Sequence, residues 1–296
     1  MKIYHSSLSK DAAIRYKALK PDEKIHALIS YGRRNKDSAY FLVENRTIVD
    51  GLVMDSGTWT RNNNPTKYED TITLEGYIPY VKNFQAKLDF YFNFDEDFDG
   101  NGFEINYLNQ LRMQREGLSP VPVVHDCYSD EIQRYIDDGH KLIAIGSGEL
   151  KHASLDDLRM ICEKIYRAGV KIHFLGVTKF EKLVFIPVYS CDASTWNHSS
   201  TSGKVHFWNP KKIGRRKIET IRFTFKSEER FLKDYVDNHP SKWVIAEYLK
   251  TELGFTLDEL KGIEGHNNRV VANLHFFAQL EKIINQKHKE QGFKFD

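Results

Sequence analysis

Two aspartates in this chain each close an apolar run. Asp55 follows Leu52, Val53 and Met54 and precedes Ser56 and Gly57; Asp192 follows Val188, Tyr189, Ser190 and Cys191 and precedes Ala193, Ser194, Thr195 and Trp196. A carboxylate in that position sits at a strand end entering a turn. Gly57 permits close backbone approach to a ligand. Trp59, four residues after Asp55, is placed to stack on a planar ligand such as a base. Taken singly, each motif also reads as a turn cap, with Trp59 covering a rim and Ser194 and Thr195 bonding to their own turn. Two carboxylates at one mouth carry more information. One can attack a sugar C1′ while the other carries the proton to and from a base, which is the division of labour that glycosyl transfer needs.

Other segments offer supporting chemistry. In DFYFNFDEDF (89–98), Asn93 and Asp95 alternate with aromatics, so both are expected on one side of a strand. If that side is interior, each needs a polar partner, and a base edge would serve; a solvated acidic loop is the other reading. LIAIGSGE (142–149) ends with Gly146, Ser147 and Gly148, whose backbone could meet a flat ligand. It is not a GxGxxG fingerprint, and there is no P-loop. His125, His173 and His206 lie in or at the ends of apolar runs. Without HxH or HExxH spacing they are read as core or rim histidines rather than metal ligands, so no metal is expected.

The elements that must position these residues are short. Eight apolar runs recur: 25–31, 52–57, 89–96, 121–126, 141–148, 171–177, 187–194 and 204–208. Several are apolar almost throughout, as strands covered on both faces are. Between them lie helical patterns. GFEINYLNQLRMQREG (102–117) spaces Phe103, Leu108, Leu111 and Met113 near a helical period, with Gly117 as C-cap. SLDDLRMICEKIYRAG (154–169) opens on Ser154 and Asp157 in capping-box positions. Repeated strand and helix predict an α/β fold, a (β/α)8 TIM-type barrel, because polar residues end many of the runs and a barrel gathers those ends at one mouth. An open doubly wound sheet is the alternative. The barrel is expected over 1–217. A helical C-terminal extension is expected over 218–296, its stripe formed by Val270, Leu274, Phe277, Leu280 and Ile284; its first part could instead supply the last barrel helix.

Composition sets limits. With 41% hydrophobic and 28% charged residues the chain can bury a core and is not of the disordered class. A net charge of +2 leaves any nucleic-acid contact to local clustering. The cluster is Lys211, Lys212, Arg215, Arg216 and Lys217, continued by Arg222 and Lys226; it suits phosphates, and it also suits a solvated loop. The three cysteines form no CxxC pair, which fits a reducing, cytoplasmic setting. No apolar run is long enough to span a bilayer, so no membrane partner is expected.

From Val53 to Trp196, roughly half the chain, the motifs in their order resemble the tRNA-guanine transglycosylase superfamily, and most closely its short, phage-associated DpdA-like branch, which places 7-deazaguanines in DNA. The family's Asp-Ser-Gly-Gly-Phe strand end is similar to Asp55-Ser56-Gly57-Thr58-Trp59. Its Phe-Asp-Glu segment reads Phe94-Asp95-Glu96. Its Ile-Gly-Gly end is Ile145-Gly146-Ser147-Gly148, its Met-Gly-Val-Gly is Leu175-Gly176-Val177-Thr178, and its Phe-Asp-Cys segment is matched by Ser190-Cys191-Asp192. The resemblance implies Asp192 as nucleophile and Asp55 as proton shuttle. It implies base contacts from Asp95, Trp59, Gly146 and Gly148, and a barrel fold. Ser56, Ser147 and Asn93 join the candidate base pocket. The family's zinc site of three cysteines and a histidine has no counterpart here, and Thr58 replaces a glycine. That loss favours DNA over tRNA as acceptor, with a free 7-deazaguanine as incoming base, Lys211, Lys212, Arg215 and Arg216 on the backbone, and no cofactor. A nucleosidase or DNA glycosylase on the same barrel, or a base-binding protein without turnover, are the rival expectations.

Overall fold

A computed structural model describes residues 1–32, 36–98, 102–224 and 233–295; within these, the side chains of Lys36, Arg215 and Arg216 are not described. The strands are β1 (Lys2–Ser6), β2 (His26–Ser30), β3 (Gly51–Asp55), β4 (Phe90–Tyr91), β5 (Val123–Val124), β6 (Leu142–Ile145), β7 (Lys171–Phe174), β8 (Ser190–Ala193), β9 (Lys204–Trp208) and β10 (Ile218–Arg222). The α-helices are α1 (Lys10–Leu19), α2 (Lys36–Glu44), α3 (Thr58–Asn63), α4 (Pro65–Tyr68), α5 (Leu74–Phe84), α6 (Phe103–Arg115), α7 (Glu131–Asp137), α8 (Ser147–His152), α9 (Leu155–Arg167), α10 (Phe180–Phe185), α11 (Thr195–Thr201), α12 (Lys242–Leu253) and α13 (His266–Glu290).

Strands β1 to β8 form one parallel sheet in the order β4-β3-β2-β1-β8-β7-β6-β5. First and last strands are neighbours, the order of a sheet that curls rather than one doubly wound from its middle. No named ladder joins β4 to β5. The residues that flank them meet in one parallel bridge, Phe92 with Val121, where Asn93 N–H donates to Val121 O (2.9 Å) and Val121 N–H to Tyr91 O (2.8 Å).

Strand membership differs from expectation at both ends. KIYHS (2–6) is β1, a strand the apolar pattern did not reveal, since two of its five residues are Lys and Ser and it abuts the polar SSLSK. KVHFW (204–208) is not in the large sheet: β9 pairs antiparallel with β10 in a separate two-stranded sheet. Residues 218–222 are therefore a strand, not the start of a helical tail. The chain divides into two compact units, the first Met1–Lys10, Lys24–Ala193 and Ile284–Asp296, the second Asp11–Glu23 and Ser194–Ile283.

In the first unit one face of the sheet holds a core of Tyr4, Leu28, Val53, Phe92, Val121, Val123 and Ala144. Side chains two residues apart share a face of a strand. The same face therefore carries Ser6, Ser30, Asp55, His125 and Gly146 one step toward the C-terminal ends. Helix α6 packs with a polar face: Asn106, Gln110 and Met113 are buried, whereas Leu108 is exposed. Gly117 (φ 81°) ends that helix as expected. Ser154 caps α9, accepting from Asp157 N–H (3.1 Å). In the second unit, Val270, Leu274, Phe277 and Leu280 of α13 are buried, as is Ile284 of the same helix in the first unit. His275 is buried between Glu23 (Nδ1 to Oε2, 2.9 Å) and Glu252 (Nε2 to Oε2, 3.3 Å).

Gly57 fixes the loop after β3. Its φ is +85°, and a Cβ there would lie 2.4 Å from both Cα and N of Gly32 in the loop after β2. Neither strain can relax without moving backbone. Gly57→Ala should lower stability by at least ~1 kcal/mol, whereas Gly148→Ala, where nothing lies within 4 Å of the added methyl, should not. Thermal melts of the two variants check this; equal melting would refute the loop's tight packing.

Candidate active site

The C-terminal ends of the strands in the large sheet bring polar side chains to one mouth. Asp55 ends β3 and pairs in register with Ser30, the end of β2. Ser30 Oγ donates to Asp55 Oδ2 (3.0 Å), and Gly57 N–H donates to the same oxygen (3.0 Å). Both donors address Oδ2, which leaves Oδ1 as the oxygen suited to hold a proton. Burial, and then the charges of Asp95 and Asp192, push the Asp55 pKa up to about 7. That mutual repulsion places the three carboxylates in one electrostatic neighbourhood.

Asp192, on β8, is surrounded by donors. Ser6 Oγ at the end of β1 donates to Oδ2, and Gly176 N–H, after β7, donates to Oδ1 (2.9 Å). His173 Nε2 lies 3.3 Å from the same Oδ1, and His173 Nδ1 is 2.8 Å from Ser190 Oγ. With Ser190 donating to Nδ1, the Nε2–H faces Asp192, so one buried imidazole orients the carboxylate. Gly176 adopts φ +67°, which turns its N–H toward the aspartate.

Asp95 lies in the loop beyond β4 and is buried. Ser56 Oγ (3.2 Å) and Thr58 Oγ1 (3.1 Å) donate to its Oδ1, and His125 Nε2 stands 3.2 Å from its Oδ2. Burial works against a charged imidazole at His125, but the carboxylates of Asp95, Glu131 and Asp97 outweigh it and raise its pKa. Phe98 stacks on the His125 ring at 5.1 Å between centroids. The polar partner that the sequence called for at Asp95 is thus supplied first by the protein.

The remaining expected residues are placed as follows. Ser56 is buried against Asp95. Gly146 follows β6, and a Cβ there would come within 3.2 Å of His125 Nδ1, so the glycine leaves that ring its place. Ser147 and Gly148 open α8, with open space beside Gly148. Trp59 is on α3 and 60% exposed. Asn93 is a correction: its Nδ2 donates to Asn106 O of α6 (2.7 Å), while its neighbour Phe92 fills the interior core, so Asn93 and the interior lie on opposite sides of the strand. Its Oδ1 is buried without a partner among the described residues. Lys211 and Lys212 lie in the second unit, with Lys212 Nζ on Glu219. The side chains of Arg215 and Arg216, and all of Lys226, fall outside the described residues. His206, on β9, bonds to Ser199 and Thr220, and no group of three metal-ligating side chains occurs among the described residues.

Ser6, Ser30, Thr58 and His173 are among the contributors not singled out as site residues from the sequence. Ser30 ends its strand just as Asp55 does, so the rule that found Asp55 could have found it; Ser6 was out of that rule's reach, because β1 itself does not stand out as an apolar run. Thr58 was noted only for replacing a glycine, yet its hydroxyl holds Asp95. His173 was read as a core histidine, which it is, but the core there touches Asp192.

No family model and no curated protein matches the chain. Among solved structures, an enolase from Pseudomonas fluorescens with bound magnesium, potassium and tartrate is similar at a TM-score of 0.36 and 14% identity, over 61% of this chain and 40% of the enolase. The chain spans less than half of that protein, and the architecture rests on strand order instead. Among the described residues no helix is long and apolar enough to cross a membrane.

The raised Asp55 pKa carries a stability consequence. The folded state holds a proton that the unfolded chain, at 3.8, has released. Stability therefore falls as pH rises from about 4 to 7 and stays lower above that, by up to about 4 kcal/mol. Asp55→Asn keeps an acceptor for Ser30 and Gly57 without the charge. It should raise the melting temperature more at pH 8 than at pH 5. An equal gain at both pH values would show that Asp55 titrates normally.

Proposed function

We propose that the chain is a guanine transglycosylase, exchanging a guanine in nucleic acid, DNA in preference to tRNA, for a free 7-deazaguanine through a covalent aspartyl–sugar intermediate. We also take the eight-stranded sheet to be a complete (β/α)8 barrel joined along Phe92 and Val121, a reading favoured by the adjacency of β1 and β8. The observation that carries the reaction is the contrast between two aspartates at one mouth: Asp192 accepts from three directions, whereas Asp55 is pushed up to about 7. Two carboxylates in contrasting environments are the arrangement that separates a nucleophile from a proton carrier.

The steps balance as follows. The target nucleotide leaves its stack or is presented single-stranded. An Asp192 oxygen bonds to C1′ as the C1′–N9 bond breaks, and the electron pair departs on the base. Asp55, part protonated near neutral pH, gives that base its proton. The incoming 7-deazaguanine returns a proton from N9 to Asp55, and its N9 displaces Asp192 from C1′. Asp95 retains lone pairs beyond those used by Ser56 and Thr58, so a base edge can share it; His125 beside it adds a donor of raised pKa. Ser6, His173 and Gly176 hold Asp192 against rotation while the base is exchanged. Trp59, exposed on α3, is available to stack.

The test is transfer of labelled guanine into guanine-containing DNA and tRNA, side by side. The wild type should incorporate label, DNA above tRNA. Asp192→Asn should fall by at least ~10³-fold, because an amide is no anionic nucleophile. In single turnover, base release should decline as pH rises above about 7, where Asp55 loses its proton, and Asp55→Asn should lack that limb. Base loss without incorporation would replace exchange by glycosidic hydrolysis, and undiminished exchange by Asp192→Asn would move the nucleophile elsewhere.

A further inference from the structure

The second unit has its own chemistry. Residues 204–218, from β9 through the turn into β10, hold six Lys and Arg and no carboxylate. Glu219 on β10 ties this turn to the start of α12: Asn209 Nδ2 and Lys212 Nζ both bond to it, and Ser241 Oγ, at the N-cap of α12, donates to its Oε1 (3.1 Å). Asn209 Nδ2 also donates to Ser241 Oγ (3.3 Å). The turn 209–213 and the first turn of α12 are thereby fixed side by side. Two of the most exposed large apolar side chains of the described residues are in these segments, Ile213 at 87% and Trp243 at 76%. Cations lie among them: Lys211 is exposed, Lys217 Nζ lies 5.8 Å from the Trp208 ring centre, and Lys242 Nζ lies 5.3 Å from that of Trp243.

Leaving an indole and an isoleucine in water is unfavourable, and a monomer has no packing use for them there. Of the occupants that would cover an exposed aromatic beside a lysine-bearing turn, single-stranded nucleic acid fits both parts. Its phosphates match the lysines, and its base faces, which a duplex hides in its stack, match the indole. Glu219 and Asp237 neutralise Lys212 and Lys242; of the described lysines in the turn itself, Lys211 and Lys217 are in no ion pair among the described residues and are the ones assigned to phosphate.

We propose that the face formed by the β9–β10 turn and the first turn of α12 binds single-stranded nucleic acid, with Trp243 stacking on a base, Ile213 beside it, and Lys211 and Lys217 on phosphates. This goes beyond the base-exchange reading: it uses residues of the second unit alone and does not need Asp192 to be a nucleophile.

The test is fluorescence anisotropy of a labelled oligothymidylate of about 15 nucleotides, a duplex of the same length, and polyglutamate as competitor, with the full chain. Trp243→Ala should weaken oligothymidylate binding between about 5-fold and 100-fold, and Trp243→Phe should recover most of it. Replacing Lys211 and Lys217 by Ala should flatten the slope of log affinity against log salt by about 1.4, near 0.7 for each phosphate left without its lysine. Duplex should bind more weakly and be indifferent to Trp243. Unchanged binding by Trp243→Ala, at a melting temperature equal to wild type, would overturn the proposal. So would polyglutamate competing as well as the oligonucleotide at equal charge, which would assign the face to an acidic protein. Trp243-dependent binding in a protein that exchanges no base would remove the base-exchange reading and leave this one standing.

Discussion

Three carboxylates crowd one end of a parallel sheet, and the donors set around them answer to their repulsion. Buried like charges in one neighbourhood cannot all persist without donors or protons. Each aspartate is accommodated differently. Asp192 is met by a hydroxyl from β1 and by an imidazole and a backbone N–H from β7 and the loop after it. Asp95 is met by two hydroxyls, one from the loop after β3 and one from the start of α3, and by His125. Asp55 has two donors on a single oxygen and takes the rest of the strain in its pKa. The residue least provided for is the one fitted to gain and lose a proton, and that division is what the proposed reaction uses.

The register of the sheet makes this possible. Tyr4, Leu28, Val53 and Ala144 fill the interior. Two residues further along each strand, the same face presents Ser6, Ser30, Asp55 and Gly146. A one-residue slip would turn every one of these away and bury the opposite set. The apolar core thus fixes the polar site: the packing of Val53 determines where Asp55 points. Gly57 against Gly32 then sets the loop that brings Ser56 and Thr58 to Asp95.

Much of this was legible in sequence, for reasons that also explain the failures. Apolar runs ending in polar residues identified seven of the eight strands of the large sheet and the positions of Asp55, Asp95 and Asp192. β1 escaped because its pattern, KIYHS, is too polar at both ends to stand out, and β9 was counted in its place because KVHFW is apolar enough to pass for a buried strand. Period-2 reasoning failed at Asn93 because the strand stops after Tyr91: Asn93 faces α6, while Asp95 is carried by loop geometry that alternation does not govern. The face of α6 was misjudged for a related reason. Its buried side is Asn106 and Gln110, which serve the 93–97 segment and α6's surroundings through hydrogen bonds, and an apolar stripe is the wrong signal for such a helix. The partners of the aspartates come from strands far apart in sequence, and only their register reveals them.

The proposed exchange requires Asp192 to bond to a sugar carbon. The most direct measurement is intact-protein and peptide mass spectrometry after rapid quenching with a guanine-containing oligonucleotide in the absence of any free base. The account predicts an oligonucleotide adduct, less one guanine, on the peptide that holds Asp192, and none in Asp192→Asn. An adduct mapped to Asp55, or steady base exchange with no adduct at any time after mixing, would contradict it.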